Sequence, residues 1–262
     1  MRSEPLISIR EVSKVYYSGS RKSPSVTTAL DQVSIDLGKS EFLSIVGPSG
    51  CGKTTVLRIM AGLLRPDSGT VLANGRPISG PSSDRAVVFQ RPALLPWASV
   101  EKNVALGLRL RGEAKSEQRR LARAAIESVG LKGYEDYLPR QLSGGMAQRA
   151  ALARALVLNP PVLLMDEPFA SLDAITRRKL HGELLSVWST QPERSAVFIT
   201  HNVDEAIILA DRIVVMSPSP GQVAEIVDVP LPRPRRLEDA ESPEYLKVQA
   251  HIWSRIESWA SN

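Results

Sequence analysis

Apolar positions along this chain fall into short continuous runs, separated by longer stretches with helical spacing. Phe42-Leu43-Ser44-Ile45-Val46, Ala86-Val87-Val88-Phe89, Val162 to Met165, Ala196 to Ile199 and Ile213 to Met216 each have the length of a buried strand. Between the runs, Val56, Leu57, Met60, Ala61 and Leu64 line one side of a helix. From about Glu101 to Leu156 the pattern is helical, with Leu121, Ala124, Ala125 and Val129 at helix spacing. Continuous apolar strands separated by helices predict a parallel sheet covered on both faces, so an α/β core interrupted by a mostly helical lobe. The first eighty residues read differently. Ile7, Ile9 and Val12, then Val33, Ile35 and Leu37, alternate as half-buried strands do, and Asn74-Gly75 is a hairpin turn signal. The polar, serine-rich stretch from Ser18 to Thr28 predicts a loop. After Pro230 the chain is rich in proline and arginine (Pro232, Arg233, Pro234, Arg235, Arg236). It then predicts a helix with Leu246, Ile252, Trp253, Ile256 and Trp259 as its stripe, fit to bind a partner or to pack on its own domain.

Composition narrows this little. A chain of 262 residues can bury a substantial core, and 43% hydrophobic with 23% charged residues is ordinary for a globular protein. The net charge of +5 would suit an anionic membrane surface or nucleic acid, or simply a solvated surface with a modest lysine and arginine excess. There is no run of like charges and no basic–aromatic stripe, so charge alone decides nothing; no nucleic-acid partner is expected. The single cysteine, Cys51, cannot form an internal disulfide. Met1-Arg2-Ser3-Glu4-Pro5 has no apolar run of the secretory kind, and no stretch approaches the roughly 20 apolar residues of a membrane span. A cytoplasmic protein is expected, and any membrane crossing falls to other chains.

The chemistry is carried by motifs. Gly47-Pro48-Ser49-Gly50-Cys51-Gly52-Lys53-Thr54 is a G-x-x-x-x-G-K-[ST] loop, followed by Thr55, between a predicted strand and a predicted helix. Its glycines let backbone N–H groups approach phosphate oxygens, Lys53 adds a charge for the β- and γ-phosphates, and Thr54 a hydroxyl for Mg²⁺. The run Val162 to Met165 ends in Asp166-Glu167. Asp166 suits Mg²⁺ or its water shell, and Glu167 can polarise an attacking water. Leu142-Ser143-Gly144-Gly145-Met146 precedes an alanine-rich helix, with Ser143 as N-cap and two glycines that leave helix N–H groups uncovered. That is a second anion site. One nucleotide seldom needs two, whereas two copies facing head to tail would use both, which predicts a dimer with ATP at its interface.

Leu142 to Met146 resembles the signature motif of the ATP-binding cassette (ABC) ATPases, and other stations occur in that family's order. Gln90 resembles the Q-loop glutamine that senses Mg²⁺ and the γ-phosphate, Ser171-Leu172-Asp173 the D-loop, and His201 the switch histidine that contacts the γ-phosphate. Tyr16 sits where the family stacks an aromatic on adenine, with Tyr17 a near competitor. The resemblance implies a P-loop NTPase fold of the ABC ATPase type, with a parallel-sheet core, an N-terminal antiparallel β subdomain and an inserted helical subdomain at about 91–156. It implies an ATPase domain over 7–238 and a helical tail over 239–262. Implied are ATP and Mg²⁺, catalysis by Glu167, His201, Lys53 and Gln90, metal contacts from Thr54, Gln90 and Asp166 (partly through water), and the other copy's ATP on Ser143, Gly144, Gly145 and Met146.

A second layer of motifs is similar to the nitrate, sulfonate and taurine importer ATPases. These are Gly80 to Arg85, Leu94-Leu95-Pro96-Trp97, Asn103-Val104-Ala105, Asp166-Glu167-Pro168-Phe169, Ser219-Pro220-Gly221 and Pro232-Arg233-Pro234-Arg235, and the 47–55 loop and Leu95-Pro96-Trp97 lean to taurine import. The extra C-terminal domain of sugar-importer ATPases is not expected after the 239–262 tail. The implied assembly is a homodimer with two transmembrane permease subunits and a periplasmic or lipid-anchored substrate-binding protein, peripheral on the cytoplasmic face of the inner membrane. In it, Pro92 to Trp97, with Leu94, Leu95 and Trp97 exposed, would meet the permease, unless those side chains cover the helical lobe's own core. Two positions depart from the family: Met146 replaces a glutamine and Asn202 an aspartate. A soluble ABC ATPase of DNA repair or translation is the rival class. It would need a heptad-rich insertion between Lys53 and Leu142, or a second cassette, and neither is present.

Overall fold

The computed structural model describes residues 4–20, 23–170, 172–190, 193–233, 235, 240 and 242–259. The chain divides into one unit formed by Met1–Ser82 with Glu193–Asn262, and a second formed by Ser83–Pro192. In chain order the first unit opens with strands β1 (Ile7–Ser20), β2 (Ser23–Leu37) and β3 (Phe42–Val46), helix α1 (Lys53–Met60), and strands β4 (Ser68–Ala73) and β5 (Arg76–Pro77). The second unit comprises β6 (Arg85–Val88), α2 (Val100–Val104), α3 (Leu106–Leu110), α4 (Lys115–Ser128), α5 (Gly144–Leu156), β7 (Val162–Asp166) and α6 (Ala174–Thr190). The chain then completes the first unit with β8 (Ser195–Ile199), α7 (Val203–Leu209), β9 (Arg212–Met216), β10 (Val223–Asp228) and α8 (Pro243–Glu257).

Two sheets build the first unit. One is antiparallel, ordered β2-β1-β4-β5. In the other, β3 lies between β8 and β9, parallel to both, and β10 adds antiparallel to β9. Every residue of β3 and β8 is buried, as strands covered on both faces must be, and the Phe42 and Phe198 rings pack with centroids 6.0 Å apart. The inward set of β1 changes parity, from Ile7 and Ile9 to Val12. Glu11 sits there with φ 48° at a register shift, a bulge that restores the apolar face after one extra residue. Asn74 and Gly75, both with positive φ, close the β4–β5 hairpin.

The loop expected from Ser18 to Thr28 is instead the end of the β1–β2 hairpin, with Tyr17 paired to Val26 and Ser18 to Ser25. Tyr17 and Val26 are exposed on one face and Tyr16 and Thr27 on the other, so both faces of the ladder meet water and no apolar alternation marks it. The C-terminal stripe also differs. Helix α8 buries Tyr245, Val248 and Ile252, while Leu246 and Trp253 face solvent. Tyrosine takes the inward position because its hydroxyl finds an acceptor, Asp204 on α7.

In the second unit β6 and β7 pair in parallel. Of the run Ala86 to Phe89 only Val88 is fully buried. Helix α4 buries Ala122 and Ile126, with Val129 following, rather than Ala124, which is exposed. Among the described residues no helix is long and apolar enough to cross a membrane.

Phe198 lies at the centre of the first unit's core, fully buried between neighbouring strands. Phe198→Ala is expected to lower stability by about 3–5 kcal/mol. Urea unfolding followed by tryptophan fluorescence measures this, and a loss of less than about 1 kcal/mol would place the core elsewhere.

Candidate nucleotide site

The phosphate loop leaves the end of β3 and runs into α1, whose N-cap is Gly52. Gly52 has φ 93°, and a Cβ there would lie 2.6 Å from the Ala29 carbonyl oxygen, so both conformation and space demand glycine. The Ser219-Pro220-Gly221 turn closes on the loop from the other side, where a Cβ at Gly221 would meet the Cys51 carbonyl. Gly221 N–H donates to Ala29 O at 3.1 Å, and Asp31 N–H to Gly221 O at 3.0 Å. Lys53 is 6% exposed, and its Nζ donates to the carbonyls of Gly47 (2.8 Å) and Pro48 (3.0 Å). A cation is thereby held among backbone groups at the start of a helix, an arrangement suited to an anion of high charge. The Cys51 thiol is buried; burial raises its pKa, and nearby Lys53 opposes this.

Tyr16 and Tyr17 are distinguished by position. Tyr16 is 38% exposed, with its hydroxyl 3.4 Å from the Thr55 Oγ1, whereas Tyr17 is 81% exposed further out on the hairpin. Of the two, it is Tyr16 that reaches the first turn of α1.

In the second unit, β7 ends at Asp166, which is buried, and the chain turns at Glu167 with φ 43°. A glutamate in the left-handed region is uncommon and strained, a feature that concentrates at functional sites. Gln90 Nε2 donates to Glu167 Oε2 at 3.4 Å, so two of the expected catalytic side chains meet. Of the D-loop residues, Leu172 is buried, Asp173 caps the start of α6 by accepting from Thr176 N–H at 3.0 Å, and Ser171 lies outside the described residues.

The α5 helix starts as the glycines suggested. Ser143 is its N-cap and accepts from the Met146 N–H at 3.3 Å. Ser143 and Gly144 are exposed. Among the described residues nothing beyond its own helix comes within 4 Å of a Cβ on Gly144, while one on Gly145 would press on Thr176. No contact among the described residues requires glycine at 144.

His201 is exposed and lies two residues before α7. Asn202 is the N-cap of that helix, its Oδ1 accepting from Asp204 N–H at 2.8 Å and Glu205 N–H at 3.3 Å. The departure from aspartate therefore keeps the cap and gives up the charge. Thr200 Oγ1 donates to buried Glu205 and accepts from the Asn202 N–H at 3.0 Å, tightening the turn that carries the histidine.

The described residues hold no group of three or more His, Cys, Asp or Glu able to bind a metal unaided. Thr54 in the first unit offers a hydroxyl, and Gln90 and Asp166 in the second an amide and a carboxylate oxygen. Each is an oxygen donor of the kind a hard ion such as Mg²⁺ takes.

Several supporting residues escape a motif reading. Gln148 on α5 donates to the Phe89 carbonyl at 3.1 Å, and Arg154 donates to the Pro92 and Ala93 carbonyls, both at 2.9 Å. Fully buried Asn103 accepts from Leu95 N–H at 2.7 Å and donates to the Ala98 carbonyl at 2.9 Å, fixing the loop that displays Trp97. Leu94 and Leu95, expected exposed, are half-buried, and Trp97 alone of the three is open, at 76%. Only the Asn103 side chain lay within a quoted motif. The role of each comes from contacts with backbone carbonyls, which leave no pattern in spacing.

Comparison with known proteins agrees with this geometry. Residues 30–170 match the family model described as ABC transporter. An uncharacterized ABC transporter ATP-binding protein of Methanocaldococcus jannaschii is 47% identical over 96% of this chain and 92% of its own length. A taurine import ATP-binding protein of Chromobacterium violaceum is 44% identical over 88% and 93%, and an aliphatic sulfonates import ATP-binding protein of Bacillus cereus 42% over 87% and 88%. Among solved structures, a dimeric ATP-binding cassette in a post-hydrolysis state bound to ADP and phosphate superposes with TM-score 0.75 at 30% identity, covering 85% of this chain and 98% of that one. With its phosphate loop, acidic strand end, capped glycine helix and family match together, the chain belongs to the ABC transporter family, as one of its ATP-hydrolysing cassettes of importer type.

Proposed function

We propose that this protein powers uptake of a small sulfonate, with taurine the first candidate, other sulfonates second and nitrate third. Its partners are a second copy of itself, two permease subunits and a substrate-binding protein, and its place is the cytoplasmic face of the inner membrane. The observation that carries the reading is the exposed N-terminus of α5, where no other described residue fills the space beside Gly144. The names of the C. violaceum and B. cereus relatives support the substrate class.

In this reading two copies face head to tail. The 47–54 loop of each holds a triphosphate, and Ser143 with the N–H groups of Gly144 and Gly145 binds the γ-phosphate held by the other. Closure is a population shift, driven by contacts that exist only in the pair. Tyr16 stacks on the adenine, and Lys53 brings its charge to the β- and γ-phosphates. Glu167 accepts the proton of the attacking water while Gln90 orients that carboxylate, and His201 donates to the departing γ-phosphate. Mg²⁺, when bound through Thr54, Gln90 and Asp166, supplies neutralisation of the phosphate oxygens. Once the γ-phosphate is gone the two surfaces lose their bridge and separate. The loop carrying Trp97 meets the permease, which gives an exposed indole a cover.

Glu167→Gln is expected to keep ATP affinity and to accumulate as a closed dimer while hydrolysis falls about a hundredfold or more. Light scattering with phosphate-release kinetics checks both, and unchanged release would remove Glu167 from its role. Gly144→Ala is expected to leave thermal stability unchanged or slightly raised, since alanine favours a helix by about 0.5–1 kcal/mol over glycine. The same variant should lose ATP-driven dimerisation in sedimentation experiments, and dimers of wild-type affinity would move the interface away from α5. For the cargo, a deletion strain should fail to grow on taurine as sole sulfur source yet grow on sulfate. Normal growth on taurine with failure on another sulfonate, or on nitrate as nitrogen source, would reassign it.

A further inference from the structure

Two arginines of the proline- and arginine-rich tail, Arg233 and Arg235, are bonded into the first unit at several points. Arg235 is buried, and its guanidinium donates to the carbonyls of Ile207 (3.1 Å) and Ala210, at the C-terminal end of α7. It also donates to the carbonyls of Val229 and Leu231. Arg233 donates to the Leu209 carbonyl at 2.7 Å and to Asp211 Oδ1 at 2.8 Å. Cations and donors at a helix C-terminus satisfy its last carbonyls and complement its dipole. Asp211 is in turn bound to the start of β3, its Oδ2 accepting from Phe42 N–H at 2.9 Å and its own N–H donating to Phe42 O at 2.7 Å. Strand β3 is the strand that delivers the phosphate loop.

The other end of α7 is held by α8. Buried Tyr245 donates its hydroxyl to Asp204 Oδ1 at 2.7 Å, and Gln249 Nε2 donates to the same oxygen at 2.5 Å. Burial and the adjacent carboxylate together push the Tyr245 phenol far above its ordinary pKa, so it stays a donor. Asp204 is three residues from His201, in the first turn of the helix that Asn202 caps.

We propose that the C-terminal segment bearing Arg233, Arg235, Tyr245 and Gln249 is the positioning element of His201. It grips α7 at both ends and ties one end, through Asp211, to the strand entering the phosphate loop. The tail arginines set where the helix stops, and Tyr245 with Gln249 sets where its first turn lies. The histidine, two residues ahead of that turn, is then held at a fixed place relative to Gly47–Thr54. This inference rests on the proposed contact of His201 with the γ-phosphate. Residues of this kind act through the histidine and touch no substrate, so they should alter turnover and leave ATP binding alone.

The test uses the full-length protein, with steady-state hydrolysis, ATP titration and thermal melting. The paired change Tyr245→Phe with Gln249→Met removes both donors to Asp204 and preserves the packed shapes. Its kcat is expected to fall about tenfold, since small displacements of a catalytic group cost one to two orders of magnitude. Its ATP Kd should stay at the wild-type value, and its Tm should fall only by the few degrees that losing hydrogen bonds to a carboxylate costs. Arg235→Met should act in the same direction, and Arg235→Lys should recover part of the loss by restoring a cation without the fork. In a His201→Ala background, single-turnover phosphate release should fall no further when the Tyr245 and Gln249 changes are added. Wild-type kcat in the paired variant, with His201→Ala impaired, would overturn the positioning role and leave the histidine's own role standing. An equal fold-loss in both backgrounds would also overturn it, by marking a purely structural part. Wild-type turnover in His201→Ala would remove the histidine from the reaction, and the positioning role with it.

Discussion

A nucleoside triphosphate carries about four negative charges, and a protein without a large basic cluster must meet them with backbone amides. That requirement governs the first unit. Amides can reach phosphate oxygens only where side chains are absent, hence Gly52 in a conformation that leaves no room for a Cβ beside Ala29. They can hold still only if the loop is fastened at both ends, hence β3 fully buried between two parallel neighbours and α1 starting at once. Lys53, folded among the carbonyls of Gly47 and Pro48, balances the dipoles that such a tight turn concentrates.

Much of this could be read from the chain itself. A strand covered on both faces has to be apolar throughout, so β3, β7, β8 and β9 stand out as runs. A phosphate loop has so few chemical solutions that Gly47 to Thr54 identifies itself. The capped start of α5 was equally plain, because Ser143 and two glycines serve one physical purpose. The β1–β2 hairpin beyond Ser18 was not, since a ladder wetted on both faces needs no apolar alternation. Helix α8 misled for the opposite reason: Leu246 and Trp253 are apolar and exposed, while a tyrosine with a hydrogen-bond partner took the inward place. Gln148 and Arg154 bind main-chain carbonyls 59 and 61 residues away, and Arg235 binds carbonyls up to 28 residues back; no spacing rule connects a side chain to such partners.

The two departures from the family pattern are now separable in physical terms. Asn202 keeps the capping bonds of α7, so what changes there is charge alone, next to a histidine whose helix has Asp204 and Glu205 in its first turn. Met146 gives its backbone N–H to Ser143 as any residue could. Its side chain is the part that differs, and nothing within this chain explains a thioether in that place.

Arg154 and Gln148 sit on α5 and grip the segment from Phe89 to Ala93, while Asn103 holds the continuation from Leu95 to Ser99. The glutamine at position 90 is thereby fastened to α5 and the indole at position 97 to α2, which carries Asn103. The stretch from Gln90 to Trp97 joins two helical anchorages, so a shift of either helix would be felt by the segment between them.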